Sequence, residues 1–129
     1  MLLPVAVADI RRVELVRVGN SREWDEWDAV PGETLGSVVG ADAAAIAGLV
    51  AGLPDGESMR CFSPAYALKA HGAEGVLVEI AFCFRCHNAL VVVPGGGRPG
   101  LVAFEPDSPA GRALLARFKA VDRTTPTPA

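Results

Sequence analysis

The strongest constraint in the sequence is the apolar segment VLVEIAFCF at residues 76–84. Its even positions are all apolar, whereas its odd positions include Glu79 and Cys83. Because successive side chains of a strand point to opposite faces, this pattern predicts a strand with one fully apolar face and one mixed face. The glycine-containing segment 71–75 precedes it, and a second apolar run follows at residues 89–94. We therefore expect antiparallel hairpins at the centre of the fold.

Further segments of the sequence also have strand-like patterns. A strand is expected within residues 12–18, another from Met59 to Ala70, and a short one at residues 101–104. Pro64 marks an edge or a bulge in the second of these, because proline cannot donate to a strand ladder. The predicted sheet is an antiparallel meander over roughly residues 58–105.

Two helices are predicted to pack on this sheet. Residues 42–53 are alanine-rich, and Asp42 is the expected N-cap. The second helix begins after Ser108, with Pro109 at its first position. Together these elements predict an α+β domain over residues 1–122, followed by a disordered tail at 123–129.

Composition excludes several classes of function. The net charge of −3 and the pI near 5.3, with scattered basic residues, argue against a nucleic-acid-binding surface. The N-terminus lacks the basic leader and cleavage site of a signal peptide, and no apolar run is long enough to span a membrane. We therefore expect a soluble cytoplasmic protein with no membrane partner, in which cysteines are rarely a structural disulfide set.

The three cysteines are predicted to lie together. Pairing Ala70 with Val76 across the loop at residues 71–75 places Cys61 opposite Arg85. This register gathers four side chains at the end of the sheet away from the loop: Cys61, Cys83, Cys86 and His87. An interrupting turn near Arg85 would let the side chains of Cys83 and Cys86 point inward together.

This cluster admits several chemistries. Residues 83–87 match the haem-attachment pattern C-x-x-C-H, but haem attachment requires export, so we do not expect haem. Cys61, Cys83, Cys86 and His87 have the ligand types of a zinc site. A disulfide from Cys61 to Cys83 or to Cys86 also fits neighbouring strands. The interpretation we favour is that the cysteines fill the edge of the core, with or without one facultative disulfide, since free cysteine is among the most buried residue types.

Two tryptophans stand in an acidic segment. Trp24 and Trp27 alternate with Glu23, Asp25, Glu26 and Asp28. Aromatic side chains dominate interface hot spots, so this pair is a candidate partner-binding site. The alternative, which we favour, is that both rings fasten a loop onto the sheet.

The pattern Cys61-Phe62-Ser63-Pro64 followed by Cys83-Phe84-Arg85-Cys86 resembles small bacterial proteins that carry C-x-x-P, an apolar strand and C-F-x-C. The resemblance covers residues 59–93. Several of those proteins are exported or lipid-anchored, which favours a disulfide in them. This sequence departs from them in lacking an export signal, so the resemblance does not extend to the disulfide. The group has no assigned activity, so the resemblance implies no catalytic residue here.

The sequence as a whole predicts a small accessory or binding protein rather than an enzyme. Its cysteine cluster would be structural or zinc-binding, and its partner would be another protein or a second copy of the chain, since exposed sheet edges invite pairing. The alternative is a thiol–disulfide redox or metal-dependent enzyme that uses Cys83 and Cys86.

Overall fold

The computed structural model of this chain describes residues 2–124, except for the side chain of Thr124. Six strands form an antiparallel sheet with the spatial order β2-β1-β3-β4-β5-β6. In chain order, the elements are β1 (Arg12–Val18), β2 (Gly32–Val39), α1 (Gly40–Ala51), β3 (Tyr66–His71), β4 (Val76–Cys83), β5 (Asn88–Val92), β6 (Gly100–Ala103) and α2 (Pro109–Thr124). The predicted α+β class, with a middle helix and a C-terminal helix, is confirmed.

The sheet is wider than predicted. The β3–β6 meander lies where the sequence places it, but β1 joins the sheet beside β3 and β2 adds an edge strand outside β1. The sequence analysis assigned no strand to β2, which contains two glycines and is largely exposed. Glycine weakens strand patterns, and an exposed edge strand carries little apolar periodicity.

The β3–β4 hairpin differs from prediction in its register. Ala70 pairs with Val78 rather than with Val76, and a bulge separates Ala70 from His71. The turn explains the shift: the Gly72 N–H donates to the Gly75 carbonyl, and Gly75 has a φ of 138°, which favours glycine. The turn therefore closes tightly over four residues, and the bulge takes up the mismatch.

β3 is also shorter than predicted, because it begins at Tyr66 rather than at Met59. Residues 59–65 run as irregular chain. Pro64 cannot donate to a ladder, and the residues before it are held by contacts other than strand pairing. Cys61 accordingly lies outside the sheet.

Both helices pack on one face of the sheet, which we call the helix face. The even positions of β4 supply Val78, Ile80 and Phe82 to this core, as the alternation predicts, and the helices supply Ile46, Leu114 and Phe118 among others. Within residues 2–124, neither helix has the length and apolar character needed to cross a membrane.

The two helix starts differ from each other. The Ser108 hydroxyl accepts a hydrogen bond from the Gly111 N–H at 3.1 Å, which confirms the predicted N-cap of α2. In α1, however, the N-cap position is Val39, with no side-chain cap, and Asp42 lies inside the first turn. Asp42 is therefore not the N-cap, although its carboxylate still interacts favourably with the positive end of the helix dipole.

The predicted disordered tail starts too early. It was expected from residue 123, but α2 includes Arg123, and residues 125–129 lie outside the described chain.

Asp122 ties the end of α2 to two strands. Its carboxylate accepts hydrogen bonds from the Tyr66 hydroxyl at 2.6 Å and from the Arg17 guanidinium. The Tyr66 hydrogen bond, then the Arg17 hydrogen bond, lower the pKa of Asp122 below its usual value, against a smaller opposing effect of burial. A carboxyl group with a lowered folded pKa stabilises the fold above its unfolded pKa, near 4, and loses that contribution as the pH falls.

Asp122→Asn should therefore lower the free energy of unfolding at pH 7 by about 1 kcal/mol. Its stability should also fall less than that of the parent chain between pH 5 and pH 2.5, as measured by urea unfolding at each pH. Some acid dependence should remain, because the pKa of Glu14 is lowered as well. Burial raises the pKa of Glu14, but its hydrogen bonds and neighbouring positive charges together outweigh that effect. The matched control is Asp107→Asn at an exposed position, and an equal effect of the two substitutions would contradict the assignment.

Candidate functional site

The second face of the sheet, which we call the loop face, is covered by chain outside the strands, including a short 3-10 helix at Trp24–Glu26. Residues 19–31, which connect β1 to β2, cross this face together with Phe62. The covering creates a second buried cluster, in which Trp24, Trp27 and Phe62 are partly buried against Val16, Val18, Val30, Ala67, Ala81, Leu90 and Val92. Three odd positions of β4, expected to lie on a mixed face, are buried as well: Glu79, Ala81 and Cys83.

A buried ion pair fastens the loop to this face. Glu79 is 4% exposed, and its carboxylate lies 3.3 Å from the Lys69 ammonium on the neighbouring strand. The same carboxylate oxygen accepts the Val30 N–H at 2.9 Å. Since a buried charge is costly unless it is paired and hydrogen-bonded, Glu79 holds the end of the loop at a defined place.

The two tryptophans have different surroundings. The Trp24 ring meets the Phe62 ring edge-on, with ring centroids 5.2 Å apart. Trp27 packs against the loop-face cluster on one side and lines two grooves on the other. The favoured prediction, that the rings fasten the loop, agrees with both positions. Trp27 also remains available to a ligand.

The two grooves share one wall. The first has a volume of about 690 Å³ and runs between the Trp27 segment and the loop from Val92 to Pro99. The second, of about 630 Å³, is lined by the Trp27 segment together with Asn20 and Pro31. Both volumes fall in the range of ligand-binding clefts. Trp27, Glu26 and Asp28 line both grooves, so we call this surface the Trp27 surface.

The cysteine cluster contains a disulfide. Cys61 and Cys86 are joined, with their Cα atoms 5.6 Å apart and a separation of 25 positions in sequence. Cys83 is unpaired and buried at the end of β4. The neighbourhood predicted from the hairpin is therefore correct for Cys61 and Cys86, despite the shifted register. The C-x-x-C pair itself, Cys83 and Cys86, is not the bonded pair.

Asn88, which sequence analysis did not single out, fixes the same corner. Its side chain is fully buried, and its amide nitrogen donates to the Ser58 hydroxyl and to the Cys61 carbonyl, each at 2.9 Å. The Met59 N–H donates to the Cys86 carbonyl, also at 2.9 Å. The covalent bond and these hydrogen bonds together hold the irregular segment before β3 against the β4–β5 turn. The only sequence signal for this role of Asn88 is its position directly before the apolar run that begins at residue 89.

His87 ends the turn between β4 and β5 in a left-handed conformation, with a φ of 58°. Its carbonyl accepts the Phe104 N–H at 3.0 Å. Within residues 2–124, no group of three or more His, Cys, Asp or Glu side chains is arranged to hold a metal ion. Two of the predicted zinc ligands, Cys61 and Cys86, are bonded to each other, so the zinc site remains a prediction for the reduced protein.

The predicted site residues thus form two separate places. The cysteine corner holds Cys61, Cys83, Cys86 and His87 at one end of the sheet, and the Trp27 surface lies on the loop face. Phe62 links the cysteine corner to the tryptophan segment. It directly follows Cys61 in sequence, and its ring contacts the ring of Trp24.

Comparisons with protein-family models, curated proteins and solved structures find no match. The resemblance over residues 59–93 to small bacterial cysteine-containing proteins therefore remains a prediction. Function has to be inferred from the Trp27 surface and the cysteine corner themselves.

Proposed function

We propose that this chain is a small binding protein and that the Trp27 surface contacts its ligand. The observation that carries the proposal is the position of Trp27, whose partly buried ring is the common wall of two clefts. Tryptophan offers a large, rigid contact area at low entropic cost, which is why it dominates binding hot spots.

The arrangement of the sheet supports this choice. The helix face is occupied by α1 and α2, whereas the loop face presents irregular chain to the outside. Binding residues are found disproportionately on loops held by a rigid scaffold. Here the rigid scaffold is the sheet. Glu79 on β4 fixes the loop to it by accepting a hydrogen bond from the Val30 N–H.

The cysteine corner has a structural role in this proposal. The Cys61–Cys86 bond and the Asn88 hydrogen bonds hold the segment that carries Phe62, and Phe62 in turn contacts Trp24. A buried thiol at Cys83 suits packing better than exchange with a substrate, because reactive cysteines are partially exposed. The redox or metal-dependent enzyme that uses Cys83 and Cys86 is therefore the less supported alternative.

Localisation belongs to the proposal as well. The sequence predicts a cytoplasmic protein, but a stable disulfide is typical of oxidising compartments. The binding function does not depend on the outcome, since the Trp27 surface lies apart from the bonded sulfurs.

Binding at this surface can be tested by NMR. Isotope-labelled protein would be titrated with three pools of eight-residue peptides, basic, neutral and acidic, with the same apolar residues in each. We expect at least one pool to shift the Trp27 indole N–H and the amides of residues 25–28 and 95–98. Trp27→Ala should abolish these shifts, while Trp24→Phe, which keeps an aromatic ring against Phe62, should retain them.

Two outcomes would overturn the proposal. In one, no pool shifts these resonances at millimolar concentration. In the other, the shifts gather elsewhere, such as the pocket that His87 shares with Glu57 and Glu105. Because Trp27→Ala removes a side chain that packs on the loop face, Trp27→Phe is the second variant; it should weaken binding with the fold intact.

A further inference from the structure

We propose that the Trp27 surface binds a lysine- or arginine-rich segment of a partner protein. The inference rests on the proposed binding function and adds the chemical class of the ligand. It rests on the charge of the two grooves, on Trp27, which lines both of them, and on the apolar residues of the first groove.

The first groove is acidic. Asp25, Glu26 and Asp28 line it, with Arg98 as the opposing cation among its lining residues. Three carboxylates against one guanidinium leave an excess of two negative charges. All three acidic residues are exposed. None of their side chains makes a hydrogen bond or an ion pair within the described residues.

The second groove repeats this charge. Glu23, Glu26 and Asp28 line it against the single cation Arg22, which again leaves an excess of two. A chain segment that lies along both grooves would therefore meet an excess of carboxylates in each of them. The potential of a cleft lined by one sign of charge raises the local concentration of oppositely charged ligands.

The indole ring supplies the second attraction. A lysine ammonium or an arginine guanidinium is attracted to the face of an aromatic ring, and tryptophan is the best partner for it. Glu26 and Asp28 line the same grooves as Trp27, so one cation can contact the ring and a carboxylate together. This combination distinguishes the Trp27 surface from an ordinary solvated acidic face.

The apolar part of the lining favours a peptide over a free polyamine. Val93 is 40% exposed, and Pro94 and Pro99 stand with it along the first groove. A polyamine would leave these apolar groups in water. A protein segment would cover them with its own side chains and so gain the burial of apolar surface.

The test is a titration of the intact protein, with the cysteine bond formed, in a Trp24→Phe background in which Trp27 reports by fluorescence. The probes are an octapeptide with four arginines and lysines, the same peptide with glutamine at those positions, and spermine. We expect the basic peptide to bind at least tenfold more tightly than the glutamine peptide. Its affinity should fall as the salt concentration rises, since exposed charges are screened.

The carboxylates are tested together. The triple variant D25N/E26Q/D28N should lose about tenfold in affinity for the basic peptide, because each exposed ion pair contributes a factor of about two to five. The matched control is D9N/E74Q/D107N, which changes the net charge equally at exposed positions outside both grooves. The control should bind like the parent protein.

Arg98 tests whether the charge of the ligand is positive. Since it is the cation that opposes the ligand in the first groove, Arg98→Ala should tighten binding of the basic peptide about two- to threefold. A merely hydrophobic site would show no change.

Several results would overturn the inference. Equal binding of the basic and glutamine peptides, or equal losses in the two triple variants, would remove the role of charge. Spermine binding as tightly as the basic peptide would exclude a protein segment as the preferred ligand. If a neutral or acidic peptide binds at Trp27 instead, the inference fails but the binding function stands; if no peptide binds there, both fail.

Discussion

Replacing Cys61 by serine is expected to lower the free energy of unfolding by about 3 kcal/mol. The cross-link spans 25 residues, and a closed loop of that length removes considerable entropy from the unfolded chain. Urea unfolding of the variant, compared with the parent protein before and after reduction, measures the effect. Reduction of the parent should reproduce most of it.

Cys83 supplies the matched control. Cys83→Ala removes a buried sulfur without removing a cross-link, so it should cost about 1 kcal/mol. The denatured parent protein should show one titratable thiol, because two of its three cysteines are bonded. Three titratable thiols together with bound zinc would contradict the bonded pair and support the predicted metal site. A bond mapped to Cys83 and Cys86 would revive the redox alternative.

Lys69→Met should have the second large effect, a loss of about 2 kcal/mol in the free energy of unfolding. It leaves the Glu79 carboxylate buried on the loop face without its counter-ion, and an uncompensated buried charge is strongly destabilising. The side chain of Lys69 is 24% exposed, so some solvent remains near the pair and the cost is below that of a fully buried one. Urea unfolding again gives the number.

A double variant tests the cause. In Lys69→Met combined with Glu79→Gln, no charge is left, and the glutamine oxygen can still accept the Val30 N–H. The double variant should therefore recover at least half of the lost stability. Arg12→Met, which removes an exposed ion pair to Glu14, should cost less than about 1 kcal/mol. If the double variant is as unstable as Lys69→Met alone, lost packing rather than the unpaired charge is the cause.

The parts of the fold that could be predicted from sequence are those that depend on local sequence patterns. The alternation in residues 76–84 predicts the buried face of β4, and Ser108 with Pro109 predicts the start of α2, because each signal depends on a few neighbouring residues. The hairpin then brings Cys61 near Cys86 even though the register was two residues off. A register error displaces partners along a strand but leaves them at the same end of the sheet.

The features missed from the sequence depend on distant residues. β2 becomes a strand because β1 pairs with it, and its own sequence, with two glycines, carries little strand pattern. The odd face of β4 is buried because residues 19–31 return across it, and nothing within β4 indicates that covering. The same holds for Glu79, a typical surface residue that is buried here by a loop nearly fifty positions away.

The covering of the loop face separates the optical signals of the protein. Both tryptophans of the chain lie in the loop-face cluster, whereas the aromatic residues of the helix-face core are Phe82, Phe84, Phe104, Phe118 and Tyr66. Tryptophan emission therefore reports the surroundings of the loop-face cluster. The helices and strands can be followed separately by far-ultraviolet dichroism, so the same sample shows whether a perturbation has opened the loop face or unfolded the sheet and helices beneath it.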